Sequence, residues 1–309
     1  MQILRGLHSP DNQPIALTIG NFDGVHLGHQ ALLEQLQLDA RERDLTTAAI
    51  VFEPHPREFF TPDQAPVRLT NLREKLERFD ALGLNRVHVC RFDEKLAQTS
   101  ATDFIDTLYT NLVARHVIIG DDFRFGKARG GDFALIEKMG HEKGIAVKSM
   151  NSILQDGIRI SSTEVRLALS EGNLSLAQRY LGRTYSISGR VQHGEKVGRK
   201  LGYPTANIQF KHNRAPLCGV FVVRVRIEEG GLHEGVASLG VRPTVESHGK
   251  PVLEVHLFDF AQQIYGKHLQ VDFLHKLRDE MKFSGLDSLT KQIALDVEHA
   301  KDWFIQHGN

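Results

Sequence analysis

The periodicity of the chain changes once, and that change restricts the fold more than any other feature. Up to about Asn151, short apolar runs alternate with helical patterns. "IALTIG" (15–20), "AAIVF" (48–52), "RVHVC" (86–90) and "HVIIG" (116–120) read as strands, continuous enough to be buried on both faces. Between them "GHQALLEQLQLDARERD", "TNLREKLERFDALG" and "ATDFIDTLYTNLVAR" carry apolar residues at helical spacing. Such alternation means βαβ units and a parallel sheet, whose ligands bind beyond the carboxyl ends of its strands. From Tyr185 onward six strand-like runs follow closely, from "YSISGRV" to "KHLQVDFLHKL", and a helical pattern, "LDSLTKQIALDVEHAKDWFIQ", ends the series. These predict a small six-stranded β-barrel capped by a C-terminal helix. The boundary falls near Gly182 and Arg183, giving domains 1–182 and 183–309.

A chain of 309 residues favours two domains and needs no staples to bury its cores. Lys plus Arg and Asp plus Glu both total 38, so no overall basic field would hold a nucleic-acid backbone, and any phosphate recognition must be local. The two cysteines, Cys90 and Cys218, each lie in an apolar strand-like run. They are expected to be buried thiols rather than a disulfide or a metal pair, which fits a reducing compartment. The opening stretch places an arginine, a proline and several polar groups ahead of any apolar run, unlike a secretory signal, and no unbroken apolar stretch is long enough to span a bilayer. The expectation is a soluble, cytoplasmic protein that uses neither membrane nor nucleic acid; its oligomeric state is open, a homo-oligomer included.

The first candidate site is "TIGNFDGVHLGHQALL" (18–33), where a strand hands over to a helix. Gly20 and Gly24 let backbone approach a ligand closely. His26 and His29, three apart at the helix opening, add imidazole donors where unpaired N–H groups and the dipole already favour an anion. A zinc pair is one alternative, although the metalloprotease pattern needs four-residue spacing and an adjoining Glu. A helix cap with incidental histidines is another. "RISSTEVRLALSEG" (159–172) sets Ser161, Ser162 and Thr163 ahead of a helical pattern, with Arg159 and Arg166 flanking, as a second phosphate cradle. A capping box of Ser161 with Glu164 fits the same letters. "VFEPHPREFF" (51–60) contains a turn stiffened by Pro54 and Pro56 around His55. Phe52, Phe59, Phe60, Phe123 and Phe125 could stack on a flat ring or fill a core.

In the second domain, "HGEKVGRKLGYPTANI" (193–208) offers Gly194, Gly198 and Gly202 with Lys196 and Lys200 to wrap phosphates. Thr205 and Asn207 share one face of the strand that follows, and hard oxygens suit Mg²⁺, unless they simply face water. In "LEVHLFDF" (253–260) Glu254 points away from Leu253, Val255 and Leu257, so its carboxylate could take a proton from an attacking hydroxyl.

Together, the H-x-G-H and S-S-T-x-x-R signatures resemble those of the nucleotidyltransferase superfamily. "GNFDGVHLGHQALL", "VFEPHPREFF", "GDDFRFGKARGGD" and "ISSTEVR" look like the adenylyltransferase module of prokaryotic bifunctional riboflavin kinase/FMN adenylyltransferases, or FAD synthetases. "GRKLGYPTANI" and "LEVHLFDF" with "IYGKHLQVDFLHKLRDEMKFSGLDSLTKQI" look like the kinase module of that family, in the same order. The resemblance covers nearly the whole chain. It implies an α/β protein with an N-terminal Rossmann-like nucleotidyltransferase domain and a C-terminal barrel with riboflavin kinase activity, acting on riboflavin, FMN and ATP with Mg²⁺. ATP in the first domain would meet Gly20, Asn21, Phe22, Asp23, Gly24, His26, His29, Arg159, Ser162, Thr163 and Arg166, with the histidines catalytic. FMN would meet Pro54, His55, Pro56, Asp122 and Phe123. In the barrel, Gly194, Lys196, Gly198, Lys200, Gly202, Thr205 and Asn207 would hold MgATP, Glu254 would activate the ribityl 5′-hydroxyl and Arg278 would border the flavin. The family often has Asn where this chain has Asp122, and N-I-G-x-R-P-T where it has "SLGVRPT", so Ser238 is given no role. A nucleotidyltransferase for another phosphorylated acceptor, and a flavin-binding module without turnover, are the rival readings.

Overall fold

The structure, a computed structural model, describes residues 1–194, 197–209, 214–241 and 251–307. Two compact units divide the chain: Met1–Pro66 with Thr70–Ser162, and Val67–Leu69 with Thr163–Asn309.

The first unit is a parallel sheet. Its strands are β1 (Gln2–Arg5), β2 (Ile15–Ile19), β3 (Thr46–Glu53), β4 (Arg86–Arg91), β5 (Ala114–Gly120) and β6 (Ala146–Met150), in the order β1-β4-β3-β2-β5-β6 with every pair parallel. Alternation of side chains sorts each central strand onto two faces. Ile15, Leu17, Ile19, Ile50, Val117 and Ile119 form one core with Phe104, Ile105 and Ile136. Ala16, Ala49, Val51, Val87 and Ile118 form the other with Leu32, Leu33, Leu36 and Phe79. The helices supplying these residues are α1 (Leu27–Glu42), α3 (Leu72–Ala81), α5 (Ala101–Thr110) and α6 (Phe133–Glu142); α2 (Pro56–Phe60) and α4 (Glu94–Ala97) are short. A small hairpin, β7 (Leu154–Gln155) with β8 (Ile158–Arg159), follows β6.

Four of these strands match the apolar runs of the sequence, while β1 and β6 do not stand out there. Both are edge strands, β1 mostly exposed and β6 half-buried, so neither needs a continuous apolar run. Helix α5 stops at Thr110 rather than running to Arg115, because Val113 takes a left-handed φ of 55° and β5 begins one residue later.

The second unit opens with α7 (Ser162–Ser170), all but its first residue, and α8 (Leu174–Leu181), which Gly182 ends in a left-handed cap. A closed barrel follows, formed by β9 (Ser186–Gln192), β10 (Ala206–Gln209), β11 (Gly219–Ile227), β12 (Gly231–Val241), β13 (Pro251–Leu257) and β14 (His268–Arg278), in the order β10-β13-β12-β11-β14-β9. A single turn, α9 (Val197–Lys200), precedes β10. Helix α10 (Leu286–His307) lays Ala300 and Phe304 against Val220, Val222 and Val236 of the barrel wall. Among the described residues, no helix is long and apolar enough to cross a membrane.

One expectation is corrected here. Cys90 is buried, with its thiol pushed up to about 12 by desolvation, but Cys218 is exposed and donates to Glu280 at 3.2 Å. It sits one residue before β11, outside the run whose burial was extended to it.

Candidate functional site

Strand β2 lies between β3 and β5, where the connections of the sheet diverge, so the crevice beyond the carboxyl ends of β2 and β5 is the topological place for a ligand. The loop from Gly20 to Val25 leaves β2 there. It is tightly wound: Phe22, Gly24 and Val25 have φ of 49°, 82° and 42°, and for a β-branched residue such as Val25 that is an outlier. Neighbouring groups hold it in this shape. Thr70 donates its N–H to the Asp23 carboxylate at 3.1 Å and receives the Gly24 N–H on its hydroxyl at 3.0 Å; Ser162 donates to the Asp23 carbonyl at 2.9 Å. Gly20 serves the loop itself, since a Cβ there would lie 3.1 Å from the Phe22 ring.

With the Gly24 N–H taken by Thr70, the N–H groups opening α1 are candidate donors to an anion. The first intrahelical bond is Gln30 N–H to His26 C=O, which leaves the N–H groups of Leu27, Gly28 and His29 ahead of it. His26 occupies the N-cap position without a side-chain cap bond and is 6% exposed, so it is not an incidental surface histidine. Its ring stacks on His29 at 3.7 Å between centroids, and His29 rests on Phe22 at 5.0 Å. Nδ1 of His29 is buried without a hydrogen-bond partner among the described residues. Desolvation, then the charges of His26 and Lys75, hold His29 well below the ordinary imidazole range, so near neutrality it is an uncharged donor. No group of three or more His, Cys, Asp or Glu side chains that could hold a metal lies among the described residues.

Two further histidines of this unit, His88 and His116, are also lowered from 6.5 chiefly by desolvation, His116 despite its bond to Asp39 at 3.0 Å. Between the lowered values and 6.5 the unfolded chain binds more protons than the folded one, so stability rises with pH through that window and is complete above it. The urea midpoint of the first unit is therefore expected to be lower at about pH 5.5 than at about pH 7.5; an unchanged or higher midpoint would contradict the burial of these imidazoles.

The remaining residues expected in the first domain fall into separate groups. His55 caps α2, accepting the Arg57 N–H at 3.1 Å while Glu58 accepts its own N–H at 3.2 Å, with Pro56 as the first helical residue and Pro54 exposed before it. Phe52 and Phe125 are core; Phe60 is 61% exposed, and Phe123 stacks on Phe125 at 5.5 Å. Asp122 and Arg159, assigned by resemblance to different ligands, are joined at 2.7 Å. Thr163 and Arg166 belong to the second unit, where Thr163 is exposed and Arg166 donates to the Val67 carbonyl at 2.6 Å.

The second unit contains a cavity of about 300 Å³ between the outer barrel wall, the segment Glu280 to Phe283 and α10. Ala206 and Ile208 point into the barrel core, and Thr205 and Asn207 line the cavity. In register, Asn207 stands opposite Glu254 on β13, and Glu254 stands opposite Ser238 on β12. Leu253 and Val255 are fully buried on the other face, so the alternation of the strand aims Glu254 and His256 at the cavity. Gly194 and Gly198 border this polar corner: a Cβ at Gly194 would meet the Asn207 amide at 2.6 Å, and one at Gly198 would run into the Tyr203 carbonyl, with Thr205 Oγ1 at 3.4 Å. Gly202 has a φ of 87° in the turn after α9. Lys196 and the Lys200 side chain lie outside the described residues, as do Arg242 to Thr244 of "SLGVRPT". Arg278 reaches the cavity from the end of β14. Asp296 of α10, 4% exposed, receives its Nε at 2.8 Å and Nη2 at 2.7 Å, and the guanidinium lies 5.9 Å from the Phe283 ring.

Sequence reasoning passed over Thr70, Lys75 and Asp296. The signal for Asp296 was a carboxylate at helical spacing with Ala300 and Phe304, on the apolar stripe of α10.

Family models described as FAD synthetase and riboflavin kinase match residues 8–164 and 181–304. A bifunctional riboflavin kinase/FMN adenylyltransferase from Escherichia coli K12 is 46% identical over 312 residues, 98% of both chains, and one from Haemophilus influenzae is 46% identical over 307, covering 98% of this chain and 99% of its own. The crystal structure of a macrolide-efflux protein from Streptococcus pneumoniae, 27% identical, superposes with a TM-score of 0.80 over 98% of this chain and 100% of that one.

Proposed function

The chain belongs to the bifunctional riboflavin kinase/FMN adenylyltransferase family, and we propose that its two reactions divide between the two sites described above. It phosphorylates riboflavin to FMN and adenylylates FMN to FAD, each with ATP. The observation that carries the division is that His26 and His29 lie in one compact unit and Glu254 in the other.

In the barrel, Glu254 takes the proton of the ribityl 5′-hydroxyl as its oxygen bonds to the γ-phosphorus and ADP leaves. Arg278, fixed by Asp296, borders the flavin. The corner made by Thr205, Asn207 and Glu254 fits Mg²⁺: all three supply hard oxygens, and the glycines beside them leave room that a Cβ would fill. Thr205 and Asn207 would hold the ion, which when bound neutralises charge on the β- and γ-phosphates.

In the parallel-sheet unit, a phosphate oxygen of FMN attacks the α-phosphorus of ATP, the bond to the bridging oxygen breaks and pyrophosphate leaves. The N–H groups opening α1 and the His26–His29 pair receive the growing negative charge, and no covalent enzyme intermediate is required. Thr163 and Arg166 are assigned to the same nucleotide by their motif alone. Pro54, His55, Pro56, Asp122 and Phe123 are assigned to FMN, and Phe60, 61% exposed beside Phe59 and Phe92, is a second aromatic that could meet its ring. The domain boundary is assigned to Gly182/Arg183, beside the start of the second family match at residue 181, although α7 and α8 pack within the second compact unit, and the reactions are assigned to the cytoplasm.

The test is to give the pure protein riboflavin and MgATP alone. FMN should appear first and FAD after it by chromatography, and a chelator should stop both. Absence of FMN would remove the kinase assignment; FMN without FAD or pyrophosphate would remove the other.

A further inference from the structure

Lys75 breaks two local rules at once. It lies at the fourth position of α3, where the positive end of the helix dipole disfavours a cation, and it is 1% exposed. Burying an ammonium is costly unless strong partners replace its water, and such conflicts between sequence and environment concentrate at functional sites. Its Nζ donates at 2.6 Å to the carbonyl of Asn21, the first residue of the loop after Gly20. The side-chain Oδ1 of Asn21 is buried and has no hydrogen-bond partner among the described residues, so the residue that Lys75 holds carries an unsatisfied acceptor. The Lys75 charge also helps to keep His29 unprotonated.

We propose that Lys75 is a positioning residue for adenylyl transfer: through the Asn21 carbonyl it holds the loop from Gly20 to Val25 in the form that receives ATP, without touching ATP itself. Thr70 and Ser162 pin the loop at Asp23 and Gly24; Lys75 pins its start. Its contribution therefore concerns ATP and not FMN.

This rests on adenylyl transfer taking place at the β2–α1 loop, and the experiment separates the two ideas. Lys75→Met keeps the length and apolar stem of the side chain but removes the ammonium. In FAD formation from supplied FMN it is expected to raise the KM for ATP about tenfold or more and leave the KM for FMN within about twofold. Riboflavin phosphorylation by the barrel should also stay within about twofold of the parent. Unchanged ATP kinetics, or equal loss for both substrates, would overturn the role. Should the Met variant not fold by circular dichroism, Lys75→Leu decides, since it too lacks the donor. A rise in the ATP KM alone supports positioning, and a rise in both or in neither overturns it. If His29→Ala leaves FAD formation intact, the site assignment itself has failed; if it abolishes FAD formation while Lys75→Met does not alter ATP use, only the Lys75 role has failed.

Discussion

Glu254→Gln is expected to slow riboflavin phosphorylation about a thousandfold, while adenylylation of supplied FMN stays within about twofold of the parent rate. The substitution keeps the shape of the side chain and its place opposite Asn207 and Ser238, but an amide cannot accept the hydroxyl proton. Size is what discriminates here. Loss of one hydrogen bond to an ordinary acceptor is worth about 1 kcal/mol, or roughly fivefold, whereas loss of a general base costs about 10²- to 10⁴-fold. A fivefold effect would make Glu254 a spectator that merely contacts substrate. FMN quantified by chromatography at saturating MgATP gives the answer, with FAD from supplied FMN as the internal control.

The second large effect is expected at His29. His29→Ala should lower FAD formation about 10²- to 10³-fold, the cost of removing one preorganised donor from developing phosphate charge, and FMN should accumulate from riboflavin. Truncation also removes a ring packed on Phe22 and His26, so His29→Phe is the companion variant: it keeps an aromatic ring and lacks the N–H. Both variants should fail alike. Recovery in the Phe variant would show that packing, not hydrogen bonding, is what the imidazole supplies. If either Glu254→Gln or His29→Ala stopped both reactions with the circular dichroism unchanged, the division between units would be wrong.

Much of the architecture is legible in the letters because burial writes itself as apolar runs. The central strands and the barrel strands are apolar on at least one whole face, and the period changes where one architecture gives way to the other. What burial does not demand is faint, hence the edge strands β1 and β6. The histidines, Thr205, Asn207 and Glu254 are legible because each sits at a fixed offset from a strand end or on a strict alternation. Their supports are not: Thr70 acts from the bend ahead of α3 and Lys75 from α3 itself, each about fifty residues away in sequence, and Asp296 acts from α10, so nothing local relates them to the groups they hold. Cys218 shows the converse error, since an apolar neighbourhood in sequence says little about the residue just outside the strand.

Closure of the barrel has a consequence in time. Strand β9 finds one of its neighbours in β10, but the other is β14, through pairs such as Ile187 with Val271. At a synthesis rate of about 5 to 20 residues per second, the ribosome delivers that partner roughly 4 to 17 seconds after β9 has left the tunnel. Over that interval the nascent cylinder is an open ribbon, while every strand of the parallel sheet has already been translated. On the proposed division, a chain released early would lack the earlier chemical step and could make FAD only from FMN supplied by its finished siblings.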